Sequence, residues 1–169
     1  MNHALQHPYL EQALADHRDL HRRIATLRCR LECCVENVTK SDFDNAVASL
    51  RDLRNRLQAH FAREEAGGYL DEAISRMPRL ASKADRLQRQ HAQFVTWADR
   101  ILQRAVVAEP WQSAWEELRD EFSRLAARIE THEYAEDELL SKAFNVAVDA
   151  PRSDQAVSAS PDVEKGSTR

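Results

Sequence analysis

Twice in this chain a histidine is followed four residues later by a glutamate at the end of an apolar helical stripe. The pairs are His60 with Glu64 and His132 with Glu136. At about 100° per residue, positions four apart project from one helix face on successive turns. The stripes that lead into them are Leu50, Leu53 and Leu57 in one case, and Leu118, Phe122, Leu125 and Ile129 in the other. A glutamate that continues such a stripe is buried with it, and a buried carboxylate without a partner is strongly destabilising. No Lys or Arg shares these stripes, so the compensating positive charge must come from elsewhere.

Four long segments repeat apolar residues at helical spacing. The first runs from about Pro8 to Val38 and points Leu10, Leu14, Leu20, Ile24, Leu27, Leu31 and Cys34 inward. The second begins after Ser41, expected as an N-cap with Asp44 three residues on, and carries Val47 ahead of the leucines. Gly67-Gly68 interrupts it, a short helical piece from Tyr69 to Met77 follows, and Pro78 ends that piece. The third starts near Ser82, carries Leu87, Phe94, Ala98 and Ile101, and stops before Glu109-Pro110, where proline suits the first turn of the fourth. With three Gly and five Pro in 169 residues, and an abundance of Ala, Leu, Arg, Glu and Gln, helix is favoured over strand. The expected fold is all-α: an up-down-up-down antiparallel four-helix bundle over residues 1–148, with a short extra helix between helices two and three. From Asp149 the composition turns to Pro, Ser, Asp and Val without periodicity, and residues 149–169 read as a disordered tail. Trp97, Trp111 and Trp115 read as core or near-core residues.

Ligands on four helices are useful only if they meet at one height. His17 and His91 sit on the inner stripes of the first and third helices, between Leu14 and Leu20 and between Leu87 and Phe94. Measured from the turn at Lys40, His17 lies 23 residues before and His60 20 residues after. Measured from Pro110, His91 lies 19 before and His132 22 after. At about 1.5 Å per residue these mismatches amount to roughly one helical turn or less. All four imidazoles therefore converge at one end of the bundle, and the His17-to-His60 and His91-to-His132 intervals of 43 and 41 residues make two facing half-sites. A lone histidine on an apolar face is ordinarily a hydrogen-bonded core residue, but four at one level with two glutamates at matched spacing point to metal.

Asp16-His17, His60-Phe61-Ala62-Arg63-Glu64, Gln90-His91 and His132-Glu133-Tyr134-Ala135-Glu136 together resemble the hemerythrin-like, or HHE cation-binding, family over about Leu10 to Ala143. The resemblance implies a carboxylate-bridged di-iron centre, the two ions joined by an oxo or hydroxo bridge, with His17, His60, Glu64, His91, His132 and Glu136 as ligands. The chain departs from oxygen-carrying hemerythrins, whose third helix provides two histidines a turn apart: here Leu87 and Val95 flank His91. Those carriers also place an Asp five residues after the fourth-helix His, a place held by Asp137. Glu136 is the better candidate, since it lies about 40° around the helix from His132 and Asp137 about 140°. With six ligands and the bridging oxygen on two six-coordinate ions, two coordination positions stay open, which suits a small exogenous ligand. Mixed nitrogen and oxygen donors suit iron or manganese better than the thiolate-rich sets of structural zinc. His21, a turn beyond His17, lines the pocket or takes an open position. Glu65, Glu133, Tyr134 and Tyr69 read as a solvated rim, with a role as partners to the histidines as the alternative. His3 and His7 precede the first helix and read as exposed.

The expected function is binding or sensing of dioxygen at this centre. The alternatives are enzyme-like turnover of peroxide or nitric oxide, and iron handling read by a protein partner. A net charge of −4 with both signs interspersed gives no basic stripe for nucleic acid. No stretch has the roughly 18 apolar residues of a membrane span, and Met1 to Leu10 lacks a basic or apolar leader pattern, so a cytoplasmic location is expected. Cys29, Cys33 and Cys34, odd in number and crowded together, are no disulfide framework. They read as buried or idle thiols, with a Cys29/Cys33 redox or soft-metal pair as the alternative.

Overall fold

The computed structural model describes residues 8–33, 38–108 and 110–145, and all regular structure among them is helical. The elements are α1 (Pro8–Cys33), α2 (Lys40–Gly67), α3 (Tyr69–Arg76), a 3-10 turn (Pro78–Leu80), α4 (Ala81–Val107) and α5 (Trp111–Phe144). His3, His7, Cys34 and the expected tail lie outside the described residues, as do the side chains of Leu10 and Tyr69.

Local chemistry sets most of the boundaries. Thr39, not Ser41, caps α2: its hydroxyl accepts from the Asp42 N–H at 3.2 Å, and the Asp42 carboxylate accepts from the Thr39 N–H at 3.0 Å. Asp42 stands three residues after Thr39 and so closes a reciprocal box, which leaves Ser41 already inside the helix. Gly68 takes the left-handed conformation at φ 63°, ending α2 and redirecting the chain into α3. Pro110 has extended backbone immediately before α5, and Asn145, at φ 52°, terminates that helix.

Each long helix packs against its chain neighbours, and α5 returns to α1, closing a four-membered ring. Ion pairs and hydrogen bonds fix the antiparallel register, because partner numbers fall on one helix as they rise on the other. On α1 and α2 they join Arg30 to Ser49, Arg23 to Asp52 and Arg63 to Asp16. On α4 and α5 they join Arg104 to Glu117, Trp97 to Glu121 and Lys83 to Glu138. The expected bundle with its short extra helix is what the chain forms.

The core has two apolar layers. The larger fills one end with Leu20, Ile24, Leu50, Leu57, Phe94, Phe122, Leu125 and Ile129 among others. The smaller, from Ala13, Leu70, Ala73, Ala84, Leu87, Leu139, Leu140 and Ala143, forms where α3 packs on α5. Helix α3 thus covers the end toward which the histidines were expected to converge. No helix among the described residues is long and apolar enough to cross a membrane.

Candidate metal centre

His17 on α1, His60 and Glu64 on α2, His91 on α4, and His132 and Glu136 on α5 are all buried, none more than 4 % exposed. Their sequence positions place them between the two apolar layers: His17 between Ala13 and Leu20, His60 and Glu64 between Leu57 and Leu70, His91 between Leu87 and Phe94, and His132 and Glu136 between Ile129 and Leu139. The structure brings all six together. His17 and His60 meet edge-on with ring centroids 5.1 Å apart and planes at 77°. His91 and His132 repeat the arrangement at 5.1 Å and 80°, so the two half-sites read from the spacing have matching ring geometry.

Glu64 lies between the halves. Its Oε1 is 3.3 Å from His17 Nε2 and 2.9 Å from His60 Nε2, while its Oε2 is 3.6 Å from His91 Nε2. Glu136 Oε2 is 3.5 Å from His132 Nε2 and 3.8 Å from His17 Nε2.

Three of the four imidazoles are held from behind. His17 Nδ1 pairs with Asp137 at 3.0 Å, His91 Nδ1 with Glu65 at 3.2 Å, and His132 Nδ1 with the Gln90 side-chain oxygen at 2.9 Å. Because each partner atom is an acceptor, the proton of a neutral ring resides on Nδ1, and Nε2 faces the centre with its lone pair. Asp137 therefore supports a histidine from outside the cluster, and Glu65 does the same although its carboxylate is half exposed.

One residue requires correction. Glu133, expected on a solvated rim, is 1 % exposed and lies inside the cluster, with Oε2 2.8 Å from His17 Nε2 and Oε1 3.6 Å from His60 Nε2. Its neighbour Tyr134 is 58 % exposed, as a rim residue should be. Position 133 lies about 100° around the helix from His132, off the principal stripe. The signal that could have found it is the run Ala126, Glu133, Leu140 at seven-residue spacing, all buried, which widens the inner face of α5. His21 is half-buried and belongs to none of the donor groups. Cys29 and Cys33 are exposed rather than buried, with Sγ atoms 3.3 Å apart.

The electrostatics of the two halves differ. Burial works against a charged His17, but its hydrogen bond to Asp137 and the carboxylates of Glu133 and Glu64 outweigh this and raise its pKa well above the ordinary value. The same contest, decided by Glu133 and Glu64, lifts His60 to about 9. Glu64, which burial alone would raise, is drawn down to about 2 by His17 and His60, and Glu133 is lowered by the same pair. In the other half burial wins: His91 is lowered and His132 falls to about 4. Burial, then the charges of Glu64 and Glu133, push Glu136 well above the carboxylate range.

The donor set fits a pair of cations. Donor atoms of His17, His60 and Glu133, of His91, His132 and Glu136, and of His17, Glu64 and Glu136 form three groups, each with all atoms within 4.8 Å of one another. Yet His60 Nε2, His91 Nε2, His132 Nε2, Glu64 Oε2 and both Glu133 oxygens are buried without a hydrogen-bond partner. Each such group costs about 1–3 kcal/mol when left unsatisfied. Close approach without hydrogen-bond alignment, as for His60 Nε2 and Glu64 Oε1 at 2.9 Å, is what donors aimed at shared central points produce.

The family model described as the hemerythrin HHE cation binding domain matches residues 10–143. No curated protein and no solved structure matches the chain.

Proposed function

Because this chain belongs to the hemerythrin HHE cation-binding family, we propose that His17, His60, Glu64, His91, His132 and Glu136 hold two iron ions and that the pair binds a small ligand such as dioxygen. The supporting observation is the convergence of buried nitrogen and oxygen donors, several of whose atoms have no hydrogen-bond partner, between two apolar layers. Bound iron would supply Lewis acidity and electrons. The chain's own residues do the rest. Asp137, Glu65 and Gln90 orient three imidazoles, and Glu64 and Glu136 reach across from one half to the other. The apolar layer of Leu70, Leu87, Leu139 and Leu140 limits access of bulk water. A cleft of about 300 Å³ along Gln12, Ala13, Asp16, Arg63 and Ala66 has Glu64 in its lining.

Metal analysis of protein from iron-supplemented cells tests the reading. About two irons per chain are expected, with an oxygenated form that releases dioxygen under vacuum; fewer than two irons per chain at saturation would sink it. A second reading, turnover of peroxide or nitric oxide, is favoured by Glu133, because a third buried carboxylate stabilises the oxidised metal. Many turnovers without loss of iron would select this reading over reversible binding.

A further inference from the structure

We infer that the two metal positions are unequal: Glu133 is a third terminal donor beside His17 and His60, and the exogenous small ligand binds at the His91/His132 position, against Phe61. This inference rests on the two-metal reading above.

The observation behind it is a broken internal symmetry. The chain repeats a lone histidine followed by His-x-x-x-Glu, and the residue immediately after the second histidine occupies the same place in each half. On α5 that residue is Glu133, and it faces the histidines of α1 and α2, 2.8 Å from His17 and 3.6 Å from His60. On α2 it is Phe61, which faces the histidines of α4 and α5. Its buried ring stacks on His91, with centroids 4.1 Å apart and planes at 5°, and lies edge-on to His132 at 5.8 Å. One slot thus holds a carboxylate and its counterpart a phenyl ring.

The other carboxylates do not cancel the difference. Glu64 and Glu136 each approach histidines of both halves. Glu133 makes its close approaches to His17 and His60. Two six-coordinate ions that share four imidazoles, two spanning carboxylates and one bridging oxygen keep one open position each. Glu133 fills the first. Phe61 offers no lone pair to fill the second, and Phe94, 5.2 Å from His132 and 6.2 Å from Phe61, extends an aromatic wall there. Such a wall favours a small neutral ligand over a hydrated anion.

The test loads wild type and Glu133→Gln anaerobically with ⁵⁷Fe(II). Iron affinity is measured by competition with a chelator, quadrupole doublets by Mössbauer spectroscopy, and nitric oxide uptake by titration. Wild type is expected to bind two irons with two distinct doublets and one nitric oxide per pair. The Gln variant should weaken one iron by about tenfold or more, leave the other within about twofold, and admit a second nitric oxide. Unchanged affinities with one nitric oxide in the variant, or two nitric oxides in wild type, would overturn the inference while leaving the two-metal reading intact. Wild type that takes up fewer than two irons would overturn both. Folding is checked by circular dichroism. If the Gln variant does not fold, Glu133→Asp, which keeps the charge and withdraws it by one methylene, is read against the same outcomes.

Discussion

At the scale of single residues, the imidazoles are useful because their back nitrogens are engaged. Gln90 accepts from His132 Nδ1 without adding charge, whereas Asp137 and Glu65 add negative charge behind His17 and His91. Replacing Gln90 with Leu, or Asp137 with Asn, should lower metal affinity about 10–100-fold while two irons still bind at saturation. Isothermal titration against a competing chelator would show it, and an unchanged affinity would mean the rings are oriented by packing alone. His60→Ala should instead reduce the stoichiometry itself, and His21→Ala should leave both quantities unchanged because His21 belongs to no donor group. Six of the clustered residues were legible in the sequence because their stripes could be followed from one leucine to the next. Glu133 was not, because helical periodicity identifies one face and α5 presents two, one to α1 and one to α4. A carboxylate on the second face looks like a surface residue until the neighbouring helix is in place.

Element boundaries follow from a few local interactions. Gly68 joins α2 to α3 at φ 63°, and a Cβ built there would meet nothing within 4 Å. Gly68→Ala should therefore destabilise through the backbone alone, by about 1 kcal/mol. Thr39→Ala should cost a similar amount, about 1 kcal/mol, by opening the box with Asp42. Both are measurable by urea denaturation. If Gly68→Ala were neutral, the left-handed turn would not be required for α3 to dock, and the cover it provides through Leu70 and Ala73 would have another cause. Gly67-Gly68, Pro78 and Pro110 marked three junctions plainly, since few residues other than glycine adopt positive φ and proline cannot continue a helix. The start of α2 is ambiguous in the sequence because Thr39, Ser41, Asp42 and Asp44 offer two overlapping capping patterns. Only the observed pair of reciprocal hydrogen bonds chooses between them.

For the whole molecule, protons and metal ions compete for one set of atoms, and this couples stability to pH. In chelator-treated protein the folded state holds a proton on His60 up to about pH 9, whereas the unfolded chain releases it near 6.5. A raised folded pKa gives stability that is fully present below about 6.5 and lost as pH rises through about 9. His17 and Glu136, also raised, act in the same direction. His91 and His132 are lowered, so both states carry them neutral above 6.5 and they add no slope there. Glu64, depressed to about 2, contributes above about 4.5 and loses its contribution only as pH falls toward 2. The melting temperature of chelated protein should therefore fall between pH 6.5 and 9, by about 2–4 °C for each kcal/mol lost. Iron-loaded protein should lack that decline, because the metal replaces the protons on the imidazoles and stabilises the fold by mass action. Metal uptake at pH 7 should accordingly release protons from His17 and His60, seen as a dependence of the binding enthalpy on buffer ionisation enthalpy. If chelated and loaded protein lost stability in parallel over this range, the protons involved would belong to groups outside the cluster, and the link between the buried donors and the bundle's stability would fail.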